Sequence, residues 1–205
     1  KKTMEKKEDE INTCIGCNQA CLDHVFKGEV SSCLVNPFAC FETELVSRPA
    51  IVSKKVAIIG AGPAGLACAL EAAKRGHEVD LFEKENEIGG QFNFAKTIPG
   101  KEEFYETLRY FKNQLKKFNV KTILGKKVNL DDLESNSYNH IIFSTGVRPR
   151  KLDLPGSDHT KVMTYIDAIK DPSKVGNRVA IIGAGGIGFD VAELLTHTGE
   201  NLEES

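Results

Sequence analysis

An α/β fold built from Rossmann-like strand–loop–helix units is predicted by three observations. A glycine-rich loop, GAGPAG at 60–65, stands between a β-branched apolar run and an alanine-rich segment. A second loop, GAGGIG at 183–188, repeats that arrangement. An acid, Glu83, closes the next apolar run about twenty residues beyond the first loop, the separation a dinucleotide-binding unit uses.

Taken in order, residues 1–10 form a lysine and glutamate run, read as a solvated linker or the frayed start of a helix. Residues 11–46 hold five of the six cysteines and carry turn signals at Lys27-Gly28 and Asn36-Pro37, as expected of a loop-rich module organised around something other than an apolar core. Ser47-Arg48-Pro49 reads as a linker. From Lys54 the pattern becomes regular: KKVAIIG is a buried strand, GPAGLACALEAAKRG a helix stopping at Gly76, and HEVDLFE a second strand ending at Glu83. KEEFYETLRYFKNQLKKF places Phe104, Leu108, Phe111, Leu115 and Phe118 on one helical stripe, which predicts packing on the sheet.

VKTIL and KKVNL read as short strands, and HIIFSTG as another buried strand closing in a turn. KLDLPGSDH is a loop and TYIDAIK a short helix; NRVAIIGAGGIGFDVAELL then repeats a strand, a glycine loop and a helix. The chain opens on Lys1 and ends at Ser205 before the second unit is complete, which predicts a fragment of a longer protein. The expected domains are 1–49, a cysteine module and linker; 50–150, the first nucleotide-binding domain; and 151–205, a linker and the start of a second, truncated one.

With 40% hydrophobic and 27% charged residues the chain has the composition of a globular protein. A net charge of −2 with interspersed signs argues against a nucleic-acid partner, and no run approaches the ~20 apolar residues of a membrane span. KKTMEKKEDE lacks the apolar core of a secretory signal, so cytoplasmic residence and reduced thiols are expected.

Each glycine of the first loop has a task. Gly60 permits the tight turn, Gly62 lets the backbone approach a pyrophosphate, and Gly65 allows close packing of helix on strand. With Pro63 they set a diphosphate before the unpaired N–H groups of a helix amino terminus, where the dipole favours negative charge. Glu83 is then placed to accept hydrogen bonds from ribose hydroxyls. Gly183, Gly185, Gly186 and Gly188 form the second candidate nucleotide site.

Cys14-x2-Cys17-x3-Cys21-x11-Cys33 admits three readings. Disulfides would close very small loops with little entropic gain and do not suit a reducing compartment. Structural zinc is the serious alternative, but it usually takes two well-separated pairs. Three closely spaced thiols and a distant fourth suit a [4Fe–4S] cluster, in which one loop serves three irons. Cys40 lines such a cluster or is a buried small apolar side chain, and Cys68 packs within its helix. His24, between the third and fourth thiols, is a candidate hydrogen-bond donor to the cluster's surroundings. No histidine stands in a catalytic constellation, and no catalytic residue is assigned.

Two dinucleotide units in one chain resemble the two-dinucleotide-domain flavoproteins. In that family the first unit binds FAD and the second, in an inserted domain, binds NAD(P)H. The Gly-Gly pair of EIGGQ at 87–91, with Gly90, and the turn Thr145-Gly146-Val147-Arg148-Pro149 match it. The fold class implied is a Rossmann-like FAD-binding domain of that type, preceded by a small loop-rich iron–sulfur module and followed by the start of a second Rossmann-like domain.

More narrowly, CIGCNQAC…SSCLVNP, GAGPAGL, EIGGQFN, IPGKEEFYETLRY and VGNRVAIIGAGGIGFD, in that order, resemble the bacterial NADPH-dependent 2,4-dienoyl-CoA reductases. These belong to the iron–sulfur flavoenzymes that include 2-enoate reductases and trimethylamine dehydrogenase; the cysteine spacing departs from the last. The resemblance runs from Cys14 to about Leu195. It implies Gln19 against FMN, and Ala64, Glu83, Gln91 and Val128 along FAD. It also implies an amino-terminal (β/α)8 barrel, absent here, that holds FMN, the enoyl-CoA substrate and the catalytic acid.

The implied activity moves electrons from NADPH (or NADH) through FAD and the cluster to FMN and a conjugated double bond, as in unsaturated fatty acid breakdown. NADPH gives two electrons together, a cluster passes one, and a flavin handles either. The choice of nicotinamide rests on a residue after a strand not in the sequence. Alternatives are a 2-enoate or steroid-type enoate reductase, an electron-transfer subunit feeding a separate partner, and a zinc-stabilised nucleotide-binding module.

Overall fold

A computed structural model describes residues 1–150 and 153–197. Lys151 and Leu152, at the head of the expected KLDLPGSDH loop, and the tail at 198–205 lie outside the described residues. The chain divides into two compact units: Lys1–Phe92 with Glu103–Gly146, and Asn93–Glu102 with Val147–Ser205.

The first unit is a parallel sheet of strands β1 (Lys55–Ile59), β2 (Glu78–Phe82), β3 (Lys121–Ile123) and β4 (His140–Phe143), in spatial order β3-β2-β1-β4. Register aligns Val56 with Val79 and Ile58 with Leu81, which puts these four side chains on one face. That face is covered by helices α2 (Pro63–Lys74) and α4 (Glu103–Lys117), whose Leu66, Ala69, Leu108 and Leu115 join the core. Ile58, Leu66 and Leu81 are fully buried; each such side chain contributes about 1.5–3 kcal/mol by leaving water.

Helix ends follow local chemistry. Pro63 opens α2 at a position where its missing N–H costs nothing. After α2, Gly76 takes φ +90°, and the N–H groups of Gly76 and His77 return to the carbonyls of Ala73 and Ala72, a Schellman closure. Asn119 plays the same part after α4 at φ +53°, with Asn119 and Val120 donating to Lys116 and Leu115.

Three sequence expectations are corrected. KKVNL is not a strand: the Lys126 N–H reaches the Glu83 carbonyl at 2.9 Å, but Lys126, Lys127 and Val128 join no strand ladder, and Asn129 caps helix α5 (Leu130–Glu134) instead. Asn129 and Asp132 exchange side-chain and backbone hydrogen bonds in a capping box. The Lys126 ammonium, then the Asn129 N–H, hold the Asp132 carboxyl below the usual carboxylate range. HIIF does form β4 but is not buried: it is an edge strand whose Ile141 and Phe143 lie on the second face of the sheet and are 41% and 71% exposed. The apolar run at 178–182 has no hydrogen-bonded partner among the described residues and is not a strand there.

On that second face Ala57, Phe82 and Leu133 form a small core with Val128 and Tyr138 packed against it. Asp80 is buried in it and accepts a hydrogen bond of 2.5 Å from the Tyr138 hydroxyl. Burial and this bond to Asp80 push the Tyr138 phenol up from its ordinary value. The cysteine module carries one short helix, α1 (Leu22–Phe26), and is otherwise loop, as its composition predicts. Residues 1–10 make two single 3₁₀ turns rather than a helix. Arg109 of α4 donates to the carbonyls of Asp9 and Ile11 and so ties this segment down.

The second unit contains α3 (Phe92–Ala95, of which Asn93 onward belongs to it), α6 (Tyr165–Lys170) and α7 (Gly186–Thr196). Thr164 caps α6 through the Asp167 N–H. Lys101 pairs with Asp190 of α7 at 2.6 Å, and the Lys170 ammonium stands over the Phe94 ring.

Candidate functional site

The first glycine loop leaves the carboxyl end of β1 and crosses the ends of its neighbours, where ligands bind in open α/β sheets. Gly60 has φ +105° and donates its N–H to the Phe82 carbonyl; a Cβ on it would lie 2.4 Å from the Ser144 carbonyl oxygen and 3.2 Å from the Thr145 Cα. A Cβ on Gly65 would lie 1.9 Å from the Gly60 oxygen, so only glycine lets α2 sit this close to the turn. Gly62 is different. Its φ of −74° suits any residue and a Cβ would meet nothing within 4 Å, so its small size leaves open space before α2. No side chain caps α2, which leaves its first N–H groups free to meet an anion.

Two further segments close on this cradle. Gly89 donates to the Ala61 carbonyl at 2.8 Å, and a Cβ on Gly90 would stand 3.0 Å from the Gly62 Cα, so the EIGGQ loop lies against the glycine loop. Glu83 is buried; its two carboxylate oxygens accept from the Ala61 N–H at 2.8 Å and the Glu85 N–H at 3.1 Å. Each oxygen keeps a second lone pair for a hydroxyl donor. Ser144, which the sequence reading missed, donates to the Ile59 and Gly60 carbonyls and clamps the turn. Its only sequence signal is its place just before Thr145-Gly146.

Gly60, Gly62, Gly65, Glu83, Gly90 and Thr145 are thus brought together. Ala64, Gln91 and Gly146 are exposed, whereas Val128 packs beneath the sheet. The open backbone, the uncapped helix and the buried acid fit the diphosphate and ribose of a dinucleotide.

In the second unit, Gly183 takes φ +118°, Gly185 is the uncapped amino end of α7, and a Cβ on Gly188 would lie 2.3 Å from the Gly183 oxygen. Gly186 opens the helix with free space around it. Loop and helix therefore repeat the geometry of the first site, without the supporting strand.

All six thiols of the chain are free, five of them in the cysteine module. Cys14 and Cys21 are exposed and Cys17 and Cys33 partly buried. Gly16 and Asn18 turn through positive φ between the first three, and the Gly16 N–H points to the Cys14 sulfur at 3.4 Å. Ser32 donates to the Ala20 carbonyl at 2.6 Å, which carries the segment bearing Cys33 beside that bearing Cys21.

No group of three or more Cys, His, Asp or Glu stands close enough to hold a metal ion among the described residues. The donor set and its loop closure fit a thiolate-bound centre; the sulfurs themselves are not gathered. Gln19 is exposed on the same loop. His24 is engaged elsewhere, its Nδ1 on the Val30 carbonyl at 3.0 Å. Cys40 is exposed with φ +65°, which removes the reading of it as a buried apolar side chain. Cys68 packs against the core, and burial pushes its thiol up.

Comparison with known proteins agrees with this geometry. Residues 54–203 match the family model for pyridine nucleotide-disulphide oxidoreductases. The chain belongs to that family. Membership supports binding of FAD and a nicotinamide nucleotide by an oxidoreductase domain, and the mixed α/β fold with its parallel sheet is the one expected.

A metal reductase of Desulforamulus reducens is 36% identical over 97% of this chain and 30% of its own length. A cinnamate reductase of Clostridium sporogenes is 31% identical over 98% of the chain and 30% of its own length. Among solved structures, a 2-naphthoyl-CoA reductase in complex with 2-naphthoyl-CoA superposes with a TM-score of 0.90 at 33% identity, covering 95% of this chain and 30% of that one. The chain therefore spans about 30% of the length of these relatives. No helix among the described residues is long and apolar enough to cross a membrane.

Proposed function

We infer that this pyridine nucleotide-disulphide oxidoreductase chain is the electron-input portion of an NADPH-dependent reductase of conjugated enoyl thioesters, similar to 2,4-dienoyl-CoA reductases. The observation that carries the reading is the pairing, in one compact unit, of an open glycine cradle with four free thiols on a closed loop. The likeness to a naphthoyl-CoA reductase across 95% of the chain supports the thioester class. The domains are 1–49 for the cluster, 50–150 for FAD and 151–205 for the start of the nicotinamide domain.

Gly60, Gly62, Pro63, Ala64 and Gly65 seat the FAD diphosphate at the amino end of α2, and Glu83 takes the ribose. Gly90, Gln91, Thr145 and Gly146 line the remainder, and Val128 supports it from the second-face core. Gly183, Gly185, Gly186 and Gly188 hold the nicotinamide nucleotide. Cys14, Cys17, Cys21 and Cys33 would hold a [4Fe–4S] cluster, and Gln19, exposed on the same loop, would serve FMN held by the barrel that the resemblance implies.

When bound, FAD and the cluster supply the conversion of a two-electron hydride into single electrons for FMN. The chain's own part is to bind and orient: Glu83 braces the loop through the Ala61 N–H, its remaining lone pairs would accept from ribose, and the α2 N–H groups would meet the diphosphate.

A second reading, reduction of a free 2-enoate, is favoured by the cinnamate reductase relative. The proposal is tested by adding NADPH anaerobically to the chain loaded with FAD. Loss of the oxidised flavin absorption is expected, without turnover of a dienoyl thioester. A flavin that stays oxidised under excess NADPH and NADH overturns the assignment.

A further inference from the structure

At the amino ends of the strands, opposite the glycine cradle, the first unit has a cleft of about 630 Å³. Five basic side chains line it, Arg48, Lys54, Arg75, His77 and His140, and no carboxylate does. Among the described residues neither guanidinium pairs with an acid; Arg75 instead spends its Nε–H on the Arg48 carbonyl at 3.2 Å, which fixes the guanidinium and leaves its remaining N–H groups free. Two acids close in sequence to its lining have other partners: Glu78 faces Lys55 at 3.7 Å, and Glu71 accepts from Ser47.

Hydrogen bonding settles the imidazole tautomers. His77 Nδ1 accepts the backbone N–H of Lys54 at 3.2 Å, so its proton is on Nε2. His140 Nε2 accepts from the Lys54 ammonium at 3.0 Å, so its proton is on Nδ1. Each ring thus keeps an N–H to offer, and with the guanidiniums and the ammonium the polar side-chain groups left over in the cleft are donors.

Three formal positive charges outweigh the opposing carboxyl end of α2, whose dipole amounts to about half an elementary charge. Ile51, fully exposed, and Val52, 66% exposed, add an apolar wall.

A set of fixed donors from three segments matches the three oxygens of a phosphate monoester better than the two in-plane oxygens of a carboxylate. We propose that this cleft is a second ligand site, for a phosphorylated small molecule whose organic body lies on Ile51 and Val52. It is separate from the dinucleotide cradle, which leaves the opposite ends of the same strands, and it does not depend on the cluster or flavin reading.

The test is a titration of the whole chain, saturated with FAD, with adenosine 5′-monophosphate and separately with inorganic phosphate, followed by NMR of the imidazole C–H signals. The nucleotide should shift His77 and His140 and leave His159 and His197 in place. It should bind about tenfold more tightly than phosphate, and Arg75→Gln should weaken it about tenfold. Arg48→Gln is the parallel variant should Arg75→Gln fail to fold.

Unmoved His77 and His140 signals at millimolar nucleotide overturn the proposal, as does equal binding in the arginine variants. Equal affinity for phosphate and nucleotide would mean that the apolar wall takes no part, and would reduce the cleft to a site for an adventitious ion only.

Discussion

Gly62 and Gly65 lie three residues apart, yet the structure assigns them opposite jobs, and alanine at each position separates binding from folding. At Gly65 the added Cβ falls 1.9 Å from the Gly60 oxygen and 2.6 Å from the Ser144 Oγ, where ordinary contact begins at 3.4 Å. The obstacle is backbone, so α2 must retreat from β1. Overpacking of this kind costs about 1–3 kcal/mol or more.

At Gly62 nothing lies within 4 Å, and the backbone angle is open to alanine. Gly62→Ala therefore costs only the poorer cap, about 0.5–1 kcal/mol. Its methyl instead fills the space through which a diphosphate reaches the α2 N–H groups. Losing one charge-assisted hydrogen bond there removes about 1.5–3 kcal/mol, or ten- to hundredfold in FAD affinity.

Urea unfolding and quenching of FAD fluorescence read the two quantities apart. Gly62→Ala should fold nearly as the parent and bind FAD at least about tenfold more weakly. A Gly62→Ala protein with parental FAD affinity would refute the cradle.

Other expectations follow from single residues. Among the described residues, Tyr138→Phe leaves the buried Asp80 carboxylate with only the distant Lys121 ammonium at 4.0 Å, and should lower stability by about 1–3 kcal/mol in urea unfolding. Because burial and the bond to Asp80 raise the Tyr138 pKa above its unfolded value near 10, that contribution is complete below about pH 10 and fades as the phenol ionises above it. The parent should lose stability in alkali more steeply than Tyr138→Phe. Asn119→Ala should cost about 1 kcal/mol and Asn119→Gly nothing, since φ is +53° at that position; thermal unfolding measures both. Cys17→Ser should abolish the visible absorption of the reconstituted cluster, while unchanged iron content would remove Cys17 from the ligand set.

Sequence alone carried the first nucleotide unit well, because its signals agree: the apolar run of β1, Pro63 at the helix start, Gly76 at its end, and Glu83 at the right remove. The misses share a physical cause. A strand exists only against a partner, so KKVNL and the run at 178–182 have strand-like residues without becoming strands. The burial of β4 was misjudged because an edge strand with a thinly covered face reads like a central one. Ser144 escapes a sequence reading, and the exposure of Cys40 runs against its buried reading, because side-chain reach and exposure depend on how distant segments meet. Asp80 left a faint mark, an acid within EVDLF, but Tyr138 lies far away in sequence. The cysteine spacing predicts which thiols belong together, whereas the meeting of their sulfurs depends on what they bind.

The central claim, a flavin site and an iron–sulfur centre in one chain, is tested most directly by measuring metal, acid-labile sulfide and flavin in protein purified without oxygen. About four irons, four sulfides and one FAD per chain are expected. Colourless protein holding one zinc ion and no sulfide would contradict the account.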